Sequence, residues 1–477
     1  MPATTFQGAF PPPDGYDFGH NGCNGQNGFE FNSKQYTVLM NGSNNLTVKY
    51  NYHLFENMTE VDASNAPQAS APDNGTGNQE QAWCVAIDGS TVLLLETTTD
   101  GTTGAEGPEQ TLNLYTIDVA GSRTWSGPTA LSLPVRSQYR GGGTGGAGVK
   151  QFCIKLAVRG PGDYILMFSG HPANVSGNLF SRLYYATFNG STFGTPVMLP
   201  IETGLSFTPY YLGAGTISVD SDGRCYFFAE DNNSNDGLGP SLVLWTLTSA
   251  YSLSAAQVID IGIYWSAAQG TISNSIVYTP SGGPETVAIA SEFLNDQDYG
   301  ATSWSQRLYT ASVGDTPTFT KSDVITGQDT WEGSGYSAAY NDDMQVPQFS
   351  EWNTQTIAIA HDNVAHQLMV VWAVTRYDGP GDNTLGHFWS RTSPDNALSW
   401  SDSTLLFDSP PGLHSPSNGA DQSAASQIWA YSTSTGMAVI GVSENEAAQF
   451  WSVGAAAAMN YASAGGPLAG RGNYASA

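Results

Sequence analysis

The chain is poor in charge, and poorest in positive charge. Lys and Arg total 15 of 477 residues against 42 Asp and Glu, a formal net of −27, and charged residues make up 12% of the whole, where about 25% is usual. So few cations exclude the dense phosphate contacts of a nucleic-acid binder and electrostatic docking on anionic lipid. No run of about 18 apolar residues occurs, which excludes a membrane-inserted helix. Met1 to Thr5 offers neither a basic nor an apolar stretch, so no secretory signal is visible there. Cysteine is scarce: Cys23, Cys84, Cys153 and Cys225 have no C-x-x-C spacing. That speaks against a zinc site built on Cys pairs, and the strand-borne cysteines read as buried free thiols, with a disulfide as the alternative. A P-loop and a G-x-S-x-G elbow are both missing. Gly141 to Gly146 is glycine-rich but lacks the Lys of a phosphate site.

What is present points to many short strands. There are 54 Gly and 25 Pro, and aromatics make up 12% of the chain. A chain this rich in aromatics is not a disordered one. Little Lys with much Ser, Thr and Asn suggests an extracellular or virion-surface location.

One apolar strand type recurs along the chain. It begins at Val92, Tyr164, Cys225, Val287, Leu368 and Met437, with starts 72, 61, 62, 81 and 69 residues apart. Each run has four or five apolar or β-favouring residues, the length of a buried strand. Before it come another strand and a tight turn of Asp, Asn and Gly. After it come a polar loop and a strand with a large aromatic: Tyr115, Tyr184, Trp245, Tyr309, Trp389 and Trp451. A fourth strand then follows in five of the six units. Units of strands A, B, C and D repeating about an axis predict an all-β propeller of four-stranded antiparallel blades. The expected ring has six blades, the last completed by an N-terminal strand, because an open edge invites aggregation. The strand pair Tyr36–Met40 and Leu46–Tyr50 is the candidate to close it, and a seventh blade built from that hairpin is the alternative. The division is then an N-terminal arm (1–29), the closing strand pair (30–60), the propeller (61–453) and an Ala/Gly-rich tail (454–477). The arm and tail are candidate contacts to other protein subunits.

In the fifth unit, Ser393-Pro394-Asp395-Asn396-Ala397-Leu398-Ser399-Trp400 resembles the Asp-box of sialidase-like propellers, S-x-D-x-G-x-[ST]-W, with Ala397 in place of the Gly. Fragments recur at the same turn: Gly190-Ser191-Thr192-Phe193, Thr124-Trp125 and Thr318-Phe319. The resemblance covers roughly residues 80–455 and implies the fold. In that family the Asp accepts backbone N–H bonds in the turn and the aromatic packs between sheets, away from the active face. It does not carry sialidase activity over, since the Phe-Arg-Ile-Pro segment is missing and none of the ten Arg has the family's context.

In such a ring the B–C and D–A loops open on one face. The candidate ligand residues there are His171, Glu292, Asp296, Arg376 and Tyr377 from B–C loops, with Arg136, Arg140, Tyr211, Tyr264, Trp265, Trp331 and Tyr336 from D–A loops. Aromatic plates suit the C–H faces of sugars, and carboxylates and Arg suit their hydroxyls. The expected function is therefore recognition of a glycan or surface receptor, as part of a virion appendage or extracellular assembly. A glycoside hydrolase or lyase is the second reading, with Glu292 and Asp296 as the acid pair. A structural or decoration protein is the third. No cofactor is expected. Calcium on loop carboxylates is open, and Asp220-Ser221-Asp222-Gly223 resembles the start of a calcium loop but reads better as an A–B turn.

Overall fold

The computed structural model describes residues 4–10, 27–41, 51–68, 83–97, 109–136, 154–170, 182–200, 215–231, 241–261, 271–294, 304–325, 357–376, 385–397, 399–408, 427–442 and 449–454. Strand β1 (Thr4–Ala9) stands apart from those that follow it in sequence. The first blade is β2 (Gly28–Phe31), β3 (Lys34–Asn41), β4 (Asn51–Glu56) and β5 (Thr59–Val61). The second is β6 (Trp83–Asp88), β7 (Thr91–Thr97), β8 (Glu109–Asp118) and β9 (Ser126–Arg136). The third is β10 (Ile154–Gly160), β11 (Asp163–Gly170), β12 (Arg182–Phe188) and β13 (Val197–Met198). The fourth is β14 (Gly215–Val219), β15 (Cys225–Asp231), β16 (Ser241–Leu247) and β17 (Gln257–Ile261). In the fifth the first strand is split into β18 (Thr271–Ile272) and β19 (Ile276–Tyr278), followed by β20 (Thr286–Leu294), β21 (Trp304–Ser312) and β22 (Thr320–Ile325). The sixth is β23 (Ile357–Asp362), β24 (Gln367–Arg376), β25 (Leu385–Pro394) and β26 (Thr404–Asp408). The seventh is β27 (Gln427–Thr433), β28 (Gly436–Val442) and β29 (Gln449–Gly454), with β1 hydrogen-bonded to β29 as its fourth strand.

The class expected from sequence stands: all-β, four-stranded antiparallel blades, the last completed from the N-terminus. In detail the sheets number seven, the count held as the alternative, because residues 28–61 make a whole blade. The closing strand is β1, upstream of the hairpin expected in that role. Leu46–Tyr50 lies outside the described residues, and Tyr36–Asn41 pairs with Asn51–Glu56, from Tyr36↔Glu56 to Asn41↔Asn51.

Seven apolar clusters hold the ring, one between each pair of consecutive sheets. Tyr36, Val38 and Leu54 meet Val85 and Leu94, and Leu93 and Leu95 meet Leu166 and Phe168. Ile165 and Met167 meet Phe227 and Trp245, and Tyr226 and Phe228 meet Val287 and Ile289. Ala288 and Ala290 meet Ile359 and Val370, and Met369 and Val371 meet Ala430 and Val439. Trp429 and Tyr431 meet Leu39 and Phe55, which closes the circle. Successive residues of a strand point to opposite faces. The middle of each blade's second strand is therefore sandwiched between two neighbours and runs apolar on both faces, which is the recurring run seen in the sequence. At the closure the Tyr431 ring lies directly against the Gly28 backbone, where a methyl would collide with it. Cys84 and Cys225 are buried, and burial pushes the Cys225 thiol up to about 12. Cys23 and Cys153 lie outside the described residues.

The A–B and C–D turns share one face, and their side chains bond from blade to blade. Glu30 accepts the Ser434 N–H at 2.6 Å, Arg123 reaches Glu56 at 2.6 Å, and the Tyr164 hydroxyl donates to Asp88 at 2.7 Å. Arg159 donates to the Ser249 carbonyl at 2.9 Å, Arg224 to Asp315 at 2.9 Å, and the Ser281 N–H to Asp395 at 2.6 Å. The C–D turns also push an apolar side chain into the interface with the preceding blade: Met58, Trp125, Phe193, Leu253, Phe319 and Trp400. The Ser393–Trp400 segment is one such turn. Its Asp395 carboxylate accepts the Ser281 N–H of the preceding blade. Ala397 has φ 55°, the left-handed conformation that suits Gly, but its methyl is 4% exposed in the apolar cluster. Left-handed strain costs a non-Gly residue roughly 1–2 kcal/mol, and an apolar methyl in a core returns part of it. Ala397→Gly is therefore expected to change stability by less than about 1 kcal/mol, read from urea midpoints, whereas Ala397→Val is expected to unfold far earlier. Asp220 likewise sits in an A–B turn. Its carboxylate accepts the backbone N–H of Asp222 and Arg224 at 3.0 and 2.8 Å and the Arg224 guanidinium at 2.7 Å, so donors and not an ion satisfy it.

Glu56 anchors this face between blades one and two. Lys34, Tyr36 and Arg123 donate to it at 2.8, 2.7 and 2.6 Å. Burial works to raise its pKa, but the three donors outweigh burial and hold the carboxyl at about 2. A folded-state value below the ordinary one contributes stability above the unfolded pKa and loses it as pH falls through the folded one. Glu56→Gln is expected to cost roughly 2–3 kcal/mol at pH 7. The cost should fade between pH 5 and 2, where the two acid-unfolding curves should converge.

Candidate binding face

Because each blade runs A, B, C, D outward, its B and D strands end at the face opposite the bonded turns, and its A and C strands begin there. The connections leaving that face include 137–153, 201–214, 262–270, 326–356 and 409–426, and 326–356 is the longest in the chain. Arg140, His171, Tyr211, Tyr264, Trp265, Asp296, Trp331, Tyr336 and Tyr377 all fall in segments outside the described residues. Three of the expected loop residues belong to strands instead. Arg136 ends β9 opposite Glu109, Arg376 ends β24 opposite Leu385, and Glu292 lies in β20 between Thr271 and Gln306. Glu230 and Asp231 also finish a strand, β15, opposite Leu242 and Ser241. The runs were read too short because polar residues at a strand's end look like loop. All these residues stand at the same edge of the ring.

Beneath this edge lie two polar clusters that the sequence reading did not single out. In the second blade the Glu96 side chain is wholly buried, and its Oε1 takes the Asn113 amide and the Tyr115 hydroxyl, both at 3.0 Å. The same hydroxyl is 3.1 Å from the Gln68 carbonyl, which ties the segment linking blades one and two to the sheet. Between blades four and five, Arg307 is 1% exposed, with Asp260 and Asp323 each at 3.5 Å. The Tyr309 hydroxyl donates to Asp260 at 2.7 Å. Burial, and then the Asp260 charge, push its pKa far above the ordinary range. Charges buried this deeply persist only when paired. They make a rigid floor under the strand ends, and a rigid floor is what holds binding loops in place. The only sequence signal for them was a charged residue at an alternate position of an otherwise apolar C or B strand.

Arginine use also bears on what this face can bind. Arg123, Arg159, Arg224, Arg307 and Arg391 are committed to partners inside the scaffold. Half of the ten Arg are thus unavailable to an anionic ligand.

No protein-family model matches the chain, and no curated protein matches it. Solved structures similar to it are themselves distant. One is a protein of unknown function from Dyadobacter fermentans, at 11% identity and a TM-score of 0.41 over 78% of this chain and 94% of that one. A second is the Penicillium chrysogenum alpha-L-arabinanase complexed with arabinobiose, at 13% identity and 0.38 over 69% and 99%. A third is a neuraminidase-like protein from A/bat/Guatemala/164/2009, at 8% identity and 0.41 over 95% of each chain. Each likeness is one of overall fold alone.

Proposed function

We propose that this propeller recognises neutral glycans at the face served by its B–C and D–A connections, as a binding component of an extracellular or virion-surface assembly. One observation carries the reading: the two faces are divided in use. The A–B and C–D turns are consumed in blade-to-blade bonds, whereas the opposite strand ends release the B–C and D–A connections, the longest among them. Those connections hold Tyr211, Tyr264, Trp265, Trp331 and Tyr336, aromatics that suit sugar rings. The net charge of −27 and the committed arginines favour neutral over sialylated ligands.

A glycan array carrying neutral and sialylated chains, probed with folded full-length protein, tests this. Binding to neutral chains is expected, weakened at least tenfold by Trp265→Ala or Trp331→Ala. An array with no signal, or one insensitive to both variants, would remove the proposal. Release of shortened product from a bound glycan, abolished by Glu292→Gln, would replace recognition by hydrolysis.

A further inference from the structure

Three side chains of the sixth blade meet on the face opposite the proposed glycan site. His361 is in β23, His366 is in the turn between β23 and β24, and Asp395 follows β25. His361 is 1% exposed, and its Nδ1 lies 2.9 Å from Asn363 Oδ1. Its Nε2 is buried and has no hydrogen-bond partner among the described residues. A buried polar nitrogen without a partner is costly and calls for an explanation. If Nδ1 carries the proton and donates to Asn363, Nε2 presents its lone pair. That is the arrangement in which a metal-ligating imidazole is fixed by an outer partner. Nε2 is 3.9 Å from Asp395 Oδ2, and His366 Nδ1 is 3.6 Å from the same oxygen. All three atoms lie within 4.8 Å of one another.

We infer that His361 Nε2, His366 Nδ1 and Asp395 Oδ2 form a zinc site that clips the two turns of the sixth blade together. An ion placed among the three atoms is at most about 2.4 Å from each. An inward movement of a few tenths of an ångström then reaches the 2.0–2.2 Å that Zn–N and Zn–O bonds take. His366 is half exposed, so it can make that movement, and it leaves the fourth tetrahedral position to water. Two imidazoles and one carboxylate select a borderline transition metal and reject calcium and magnesium, which need oxygen ligands throughout. Asp395 also accepts the Ser281 N–H at 2.6 Å, so the ion would brace blade six against blade five. The site lies away from the loop-bearing face, which makes its role structural.

The test uses full-length protein stripped with a chelator and dialysed, then titrated with ZnCl2 by calorimetry. Metal content is measured by mass spectrometry, and Co2+ is the spectroscopic probe. One equivalent of zinc per chain is expected, with a four-coordinate Co2+ spectrum and a zinc-dependent rise in melting temperature. His366→Asn keeps a residue that tolerates the left-handed turn at φ 51°. It should melt like the metal-free wild type and bind zinc at least 100-fold more weakly. Asp395→Asn should also lose binding. Wild-type protein that takes up no zinc would overturn the assignment. So would zinc bound equally by His366→Asn, since the ion would then sit on other histidines.

Discussion

Removal of residues 1–10 is expected to cost the protein about 4 kcal/mol or more and to make it aggregate. Strand β1 pairs with β29 from Thr4↔Val453 to Ala9↔Gln449, and no other described strand covers that edge. Without it β29 becomes an exposed edge, a template for pairing with another chain. The deletion also removes Phe10, which is 2% exposed and packs on Phe55 with ring centroids 5.1 Å apart, in the cluster between blades seven and one. Loss of a buried Phe alone costs roughly 3–5 kcal/mol. Phe10→Ala should therefore reproduce most of the destabilisation but not the aggregation, because the edge stays paired. Urea unfolding gives the first quantity and light scattering at a range of concentrations gives the second. A truncated protein as stable and as monodisperse as wild type would mean the ring is not closed by this strand.

Asn274→Ala is expected to cost about 3 kcal/mol although it deletes only a small side chain. Asn274 lies between β18 and β19. From Ile272 to Ile276 the chain advances four residues while its partner goes three, from Ser291 to Ala288, which makes a β-bulge. The bulge aims the Asn274 amide at the inner strand of the next blade. Its Nδ2 donates to the Ile359 carbonyl at 2.9 Å and its Oδ1 accepts the Ile359 N–H at 3.0 Å. One side chain thus pairs with a backbone as a neighbouring strand would. Alanine leaves a buried N–H and a buried C=O unsatisfied, each worth roughly 1–3 kcal/mol. Asn274→Asp keeps the acceptor but sets a carboxylate against the Ile359 carbonyl, so it should be no better than alanine at neutral pH. Equilibrium urea unfolding of the three proteins decides this. Wild-type stability in Asn274→Ala would mean that water takes over both bonds.

The inner six blades were legible because the middles of their second strands are sandwiched and run apolar on both faces. Leu93 to Leu95, Ile165 to Phe168 and Leu368 to Trp372 declare themselves by composition alone. The first blade was not, because its outer strands are short and mixed. Gly28–Phe31 and Thr59–Val61 carry Glu30 and Glu60 at positions that a repeat search scores as loop. Strand β1 was hidden for a similar reason: Thr4–Ala9 has one large apolar residue, and only its pairing with β29 makes it a strand. The aromatic of each C strand was read correctly as a recurring feature, and Tyr115, Trp245 and Tyr309 are all buried. Their polar ends could not be anticipated, since Glu96, Pro200 and Asp260 come from other strands or connections. The His361, His366 and Asp395 group was invisible for the same reason. Its members lie in two turns that only the sheet brings together.

The central claim is a seven-bladed ring with one face committed to holding blades together and the other to recognition. A structure determined with a neutral oligosaccharide found on the array would test it most directly. The account predicts seven blades, β1 seated on β29, and sugar over the strand ends near Arg136, Glu292 and Arg376. Sugar bound among the A–B and C–D turns, or a ring of six blades, would contradict it.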